Sequence, residues 1–396
     1  MIKKIRRYIL FSLVFTVVFT FLGCYDIREL DKISIVTGVA IDKSDLPGSM
    51  ELTVQITKAN AAAPSGGGKG GGGGGGVQEK PAMLMNSVKP DVLEAFEILR
   101  HDNSRTLFLH HNQVLIFGKS EAESGVLHHL DYFMRSHETR MEVMVLMAEG
   151  SGKDVLNTSM ELEKVTSIGI RRMIMNKTQI ADSLGVNMLE FVSKLTDRIT
   201  APVLPIIRIV KEADKTRLSL TGMAVFKQDK LVGELTEDQA MGYTWVAGDV
   251  KSGSVSVKAE QGSSELYIKS ASSKIKSVFG SDGKPSMQVD VEARFNMGEI
   301  TGFEGMAYDK IFNILTKGAQ ESIKNQIMSS YRTVQMLNAD IYGFGSYISQ
   351  HHPRKWKALK SQWDRLFPAM ELKLNIKADI YDTGITSKSP EMEIKR

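Results

Sequence analysis

The chain has 396 residues, 42% hydrophobic and 24% charged, which is enough apolar content for two or three packed domains. Lys plus Arg number 50 against 46 Asp plus Glu, and four of the basic residues fall in the first 23 positions, so the remainder balances at 46 against 46. A neutral chain of that length is not built for nucleic acid, where phosphate neutralisation dominates affinity, and a single cysteine excludes intrachain disulfides and thiolate metal sites.

Lys3, Lys4, Arg6 and Arg7 precede an uncharged run over 8–23, and Cys24 follows at once. Basic n-region, short apolar stretch and small residue make the layout of a secretory signal, predicted to be removed at 1–23. The run is shorter than the roughly 20 residues a helix needs to cross a bilayer core. Gly23-Cys24 matches the end of a bacterial lipoprotein signal, in which the thiol takes a diacylglycerol before the cut. Phe21 and Leu22 are bulkier than usual there. A signal cut elsewhere would leave the only thiol of the chain unassigned. Two acyl chains at about 0.8 kcal/mol per buried CH2 anchor stably, which predicts a protein held on the outer face of a membrane.

Beyond Cys24, residues 33–41 and 51–58 read as strands, the second by the alternation of Leu52, Val54 and Ile56 with polar neighbours, across a turn carrying Asp45, Pro47 and Gly48. Residues 60–78 are low complexity and glycine-rich and read as a solvated loop. A helix follows Pro90-Asp91, with Val92, Leu93, Phe96, Ile98 and Leu99 as its expected apolar face. Residues 107–117 read as one strand, 125–135 as a helix, 141–148 as a strand, and 154–162 and 188–195 as helices.

Pro202 and Pro205 mark a boundary, followed by extended segments at 206–210, 218–226 and 230–233, with Gln228-Asp229 as a tight turn. Residues 236–246 read as a helix and 254–258 as a strand. Two long strands, 265–278 and 287–295, flank the turn at 282–285. Ile311, Ile314, Leu315, Ile323, Ile327, Val334 and Leu337 then form one stripe of a helix of about 30 residues. Gly343-Phe344-Gly345 interrupts that pattern. Pro353 opens a helix through Trp356, Leu359, Trp363 and Leu366, and 372–381 closes as a strand. The fold class is α+β: three mixed helix/antiparallel-sheet domains at 24–200, 201–260 and 261–396 after a lipoprotein signal peptide.

Three blocks carry a resemblance. Cys24-Tyr25-Asp26 leads to Arg28-Glu29-Leu30, Ile35-Val36, Gly38 and Ile41-Asp42. Gly222-Met223-Ala224-Val225-Phe226-Lys227 leads to Asp229-Lys230-Leu231-Val232-Gly233 and Leu235. Asp340 leads to Gly343-Phe344-Gly345, Pro353-Arg354-Lys355-Trp356 and Trp363-Asp364-Arg365-Leu366-Phe367-Pro368. In order and spacing these resemble the Ger(x)C family, the lipoprotein C subunits of bacterial spore germinant receptors. Tyr25 stands where the family usually has tryptophan, Ala40 where it has a second glycine, and the polyglycine insertion is unusual. The resemblance implies three domains of helix and sheet, no catalytic activity and no cofactor. It also implies lipid attachment at Cys24 and assembly with integral-membrane A and B subunits on the outer face of the inner spore membrane.

Eight histidines include the pairs His110-His111, His128-His129 and His351-His352. Neighbouring residues diverge by about 100° on a helix, unlike the i,i+4 spacing of a helical zinc pair, so no metal is expected. Asp102 with a serine and a histidine lacks any nucleophile-elbow context, so no triad is expected either. Gly343, Phe344, Gly345, Trp356 and Trp363 are the expected partner-contact or structural motif, with the two tryptophans and Phe367 on one helical face. A nutrient-sensing receptor subunit acting through protein contacts is thus the first functional reading. A lipid-anchored extracytoplasmic solute-binding protein is the alternative, and an envelope hydrolase a weaker third.

Replacing Cys24 by alanine is expected to abolish lipidation and deplete the chain from membranes. The wild-type N-terminal peptide should carry the diacylglycerol mass in mass spectrometry; an unmodified Cys24 inside a chain that begins elsewhere would contradict the lipoprotein assignment.

Overall fold

The computed structural model describes residues 4–8, 32–57, 81–177, 185–212 and 215–382. Cys24, the cut at 23/24 and the glycine-rich segment 60–78 lie outside those residues.

The first sheet has nine strands: β1 (Ile33–Lys43), β2 (Met50–Thr57), β3 (Ala82–Lys89), β4 (Thr106–Phe108), β5 (Val114–Gly118), β6 (Met144–Ala148), β7 (Val203–Glu212), β8 (Lys215–Lys227) and β9 (Lys230–Leu235). Their order is β3-β2-β1-β5-β6-β7-β8-β9, with β4 beside β1. The outer strands pair antiparallel, but β4 and β5 run parallel to β1, β6 to β5 and β7 to β6. The α+β class stands; the antiparallel detail does not, because helices after β5 and β6 return the chain across the sheet as parallel pairing requires.

Those helices cover both faces. Val39, Ile41, Leu115, Phe117, Val145 and Met147 point to one core, and Ala40, Val114, Ile116, Leu146 and Ala148 to the other. This is the two-residue alternation of a strand. The first core is closed by α1 (Val92–Asp102), α2 (Lys119–Ser124), α3 (Leu127–Arg135) and, further along the chain, residues Met188–Asp197. The second is closed by α4 (Gly152–Asn157) and α5 (Thr166–Lys177); the helix of residues Met188–Asp197 is α6. Asp91 caps α1, accepting from Glu94 N at 2.8 Å. The buried stripe of α1 is Val92, Ala95, Phe96 and Leu99, with i, i+3, i+4, i+7 spacing, so the expected Leu93 and Ile98 face outward.

The expected strand 107–117 is divided into β4, a 3-10 turn at Leu109–His111 and β5. Both pieces pair with β1, and the break matches the register shift of β1 between Val36 and Gly38, where Thr37 O accepts from Gln113 N. The edge strand β3 and helix α5 were not expected: Met83 and Met85 lack clear alternation, and α5 has polar residues on most of its surface.

The second sheet runs β10 (Ser254–Ala259), β11 (Gly262–Phe279), β12 (Pro285–Gly302), β13 (Leu372–Asp382), with β13 parallel to β12. Helices α7 (Glu237–Ala247) and α8 (Tyr308–Met336) cover one face. The 29 residues of α8 bury Ile311, Leu315, Ala319, Ile323, Ile327, Tyr331 and Val334; Ala319 and Tyr331 join the expected stripe, while Ile314 and Leu337 are only partly buried. Residues 201–260, expected as a separate unit, give β7–β9 to the first sheet and α7 and β10 to the second core.

α7 meets α8 at Gly242, where an added Cβ would overlap the Gln326 carbonyl oxygen. On helix propensity alone, Gly242→Ala would gain about 1 kcal/mol. The clash is with backbone and cannot be relieved by a rotamer, so the variant should instead lose about 1–3 kcal/mol by overpacking. A denaturation midpoint equal to or above the wild type would show that the helices do not cross here.

Candidate functional site

The C-terminal motif residues converge on one buried carboxylate. Asp340 Oδ1 accepts from Phe344 N at 3.0 Å and Oδ2 from Gly345 N at 2.8 Å. Gly343 permits this by its left-handed conformation, φ 68°, which turns the chain into α9 (Phe344–His351). The interruption read at Gly343-Phe344-Gly345 is thus the start of a new helix. Gly345 is needed for space, since a Cβ there would come within 2.7 Å of Ile199 and 3.0 Å of both Trp356 and Trp363.

The helix expected from Pro353 through Leu366 is α10 (Pro353–Leu359), a 3-10 turn at Lys360–Gln362 and α11 (Trp363–Leu366). Its two indoles are buried and meet edge to face, with centroids 5.1 Å apart. Phe344 stacks on Tyr342 at 5.2 Å and Phe367 packs beside Trp363. The Trp363 indole N–H lies beside the Asp340 carboxylate without reaching hydrogen-bond geometry. Asp340 O also accepts from Ala201 N at 2.9 Å, and Ser346 Oγ bonds to Thr200 Oγ1 and donates to Asp197 Oδ2, each at 2.9 Å. All five motif residues therefore form a packed junction between the α6–β7 link and the C-terminal helices.

A second arrangement is open to solvent. A groove of about 1010 Å³ lies along α1, α3 and the segment after α3, with Arg100, Phe108, His110, His128, Tyr132 and Glu138 among its walls. Arg100 is held by Glu97 at 2.8 Å and Glu138 at 3.3 Å, and Arg135 by Asp131 at 2.9 Å. Tyr132 stacks on Phe96 at 5.0 Å, and burial pushes its phenol up. Burial and the neighbouring His129 push His128 down, against Glu121 and Asp229.

Behind that wall, Glu121 on α2 and His129 on α3 are both buried and hydrogen-bonded, Oε1 to Nε2, at 2.6 Å. Gly125, φ 124°, makes the link between the two helices short enough to oppose them, and a Cβ there would approach Asp229 Oδ2 at 2.9 Å. The rings of His128 and His129 lie 3.7 Å apart. The sequence signalled the histidine pair; its carboxylate partner, eight residues earlier across a glycine, left no periodic trace. Asp102 is exposed, with its Oδ1 at 3.4 Å from Nδ1 of the adjacent His101.

Comparison with known proteins covers both halves of the chain. Residues 26–209 match the family model described as spore germination protein N-terminal domain, and residues 221–384 that described as spore germination B3/GerAC like, C-terminal. Among curated proteins, YfkR of Bacillus subtilis (strain 168), named as a spore germination protein, is 25% identical over 374 residues, covering 93% of this chain and 94% of that protein. Spore germination protein B3 of the same organism is 22% identical over 393 residues, with 96% and 98% covered. The crystal structure of the GerBC protein shares the fold, with TM-score 0.57 and 18% identity over 90% of this chain and 99% of that one.

Burial pushes Asp340 up to about 6, against the Gly345 and Phe344 N–H groups that pull it down. A carboxyl raised in the folded state contributes stability that is complete below its unfolded value near 3.8 and is lost as pH rises through about 6. At about 1.4 kcal/mol per unit, roughly 3 kcal/mol is at stake. Urea unfolding of wild type and Asp340→Asn should therefore show a wild-type advantage that shrinks from pH 4 to pH 7. Parallel pH profiles would contradict the assignment.

Proposed function

The chain belongs to the spore germination B3/GerAC-like family, and from that membership we propose that it is the lipoprotein C subunit of a nutrient-sensing spore germinant receptor. It is held through Cys24 on the outer face of the inner spore membrane and acts through contacts with integral-membrane A and B subunits. The observation that carries this reading is coverage: the two family models take up residues 26–209 and 221–384 in order, so both halves are accounted for.

A non-enzymatic role agrees with where the reactive-looking groups stand. The Asp340 carboxylate is engaged by backbone N–H groups, and the tryptophans are packed. The groove of about 1010 Å³ favours the alternative of a solute-binding protein. Against it, the guanidinium groups of Arg100 and Arg135 are committed to carboxylates of the same chain. A solute recognised by charge would have to displace them.

Full-length tagged chain extracted from spore membranes in mild detergent should co-purify with integral-membrane subunits, identified by mass spectrometry. The same preparation should give no saturable heat with amino acids, sugars or nucleosides at millimolar concentration. Purification of the chain alone together with saturable heat would replace the receptor-subunit reading by the solute binder.

A further inference from the structure

Glu121, His128 and His129 each offer a ligand atom, and the three atoms lie within 4.8 Å of one another. We propose that these residues form a binding site for a divalent transition cation of the zinc class, entered from the groove beside α3.

The donor set is two imidazoles and a carboxylate, which suits zinc and its neighbours rather than calcium or magnesium, which prefer oxygen alone. Donors about 2.0–2.2 Å from a tetrahedral ion are separated by roughly 3.3 Å, so an entering ion replaces the proton shared by Glu121 and His129 and parts those two atoms from 2.6 Å, while His128 closes in. The three residues divide this task. Glu121 and His129 are buried on α2 and α3 and already face each other across 2.6 Å. His128 is exposed and lines the groove, so its ring can rotate to close the set.

Adjacent helical positions diverge at the backbone, which argues against a site when only spacing is known. In the folded chain, side-chain torsions bring the two rings to 3.7 Å and remove that objection. A second observation points to a ligand as well: His129 is 1% exposed, yet its Nδ1 has no hydrogen-bond partner. An orphaned nitrogen in a buried ring is costly unless the ring is used. Glu121 supplies the negative charge, and Asp229, close enough to act electrostatically on His128, adds to it. Three protein donors leave a fourth position, which water or a carboxylate entering the groove would fill.

Calorimetric titration of the full-length chain in detergent, stripped with a chelator and then given zinc chloride, should show one equivalent bound. Co²⁺ in its place should give the visible absorption of a tetrahedral nitrogen–oxygen site. His128→Ala, at an exposed position that leaves the fold intact, should weaken binding about tenfold or more, and Glu121→Gln should do likewise. His110→Ala, elsewhere in the groove wall, should bind as wild type does. Absence of one-equivalent binding, or wild-type affinity in His128→Ala, would overturn the proposal; because neither readout involves membrane partners, the receptor-subunit reading would survive either result.

Discussion

A carboxylate cannot sit in a protein core without donors, and Asp340 is buried where two backbone N–H groups meet it. That requirement fixes its surroundings. Phe344 and Gly345 can both donate only if the chain turns sharply before them, which Gly343 does in its left-handed conformation. Gly345 can stand between Ile199 and two indoles only by having no side chain. Trp356 and Trp363 then fill the space around the turn, and the Asp340 carbonyl takes the Ala201 amide from the link just before β7. The residues expected as a partner-contact or structural motif are packed into this joint.

The joint and the groove lie in different parts of the chain. The groove walls fall between Asp91 and Glu138, within the N-terminal family match, whereas the joint draws on 197–201 and 340–367, most of it within the C-terminal match. β7, β8 and β9 extend the first sheet, while α7 and β10 immediately after them enter the second core. Lys227 Nζ reaches Asp364 Oδ1 at 3.0 Å, a further tie between those regions. The C-terminal helices are therefore tied directly to β8 of the first sheet.

Legibility followed period and length. The stripe of α8 repeats over eight turns, and its recurrence at three- and four-residue steps was enough to read one helix of about 30 residues. The hairpins β8–β9 and β11–β12 were legible from turn residues between extended runs. What stayed hidden depends on distant partners. The parallel centre of the first sheet is decided by which strands β1 accepts, the break in 107–117 by a bulge some 70 residues earlier, and the exposure of Leu93 by the rotation of α1. At the sites, Gly343, Phe344, Gly345 and the tryptophans could be singled out by type and order, but not the carboxylate–amide contacts that make them a joint. His128-His129 was visible as a pair, but the Glu121 partner of His129 was not, because a buried contact between two short helices has no period.

The Asp340 joint holds the two regions together and does not open independently of the core. Native-state hydrogen exchange of the amides of Ala201, Phe344 and Gly345, followed with increasing urea, tests it most directly. The account predicts that all three exchange only through global unfolding, with the full denaturant dependence of the core strands. Exchange of Phe344 and Gly345 through a local opening insensitive to urea, while β5 and β12 stay protected, would contradict it.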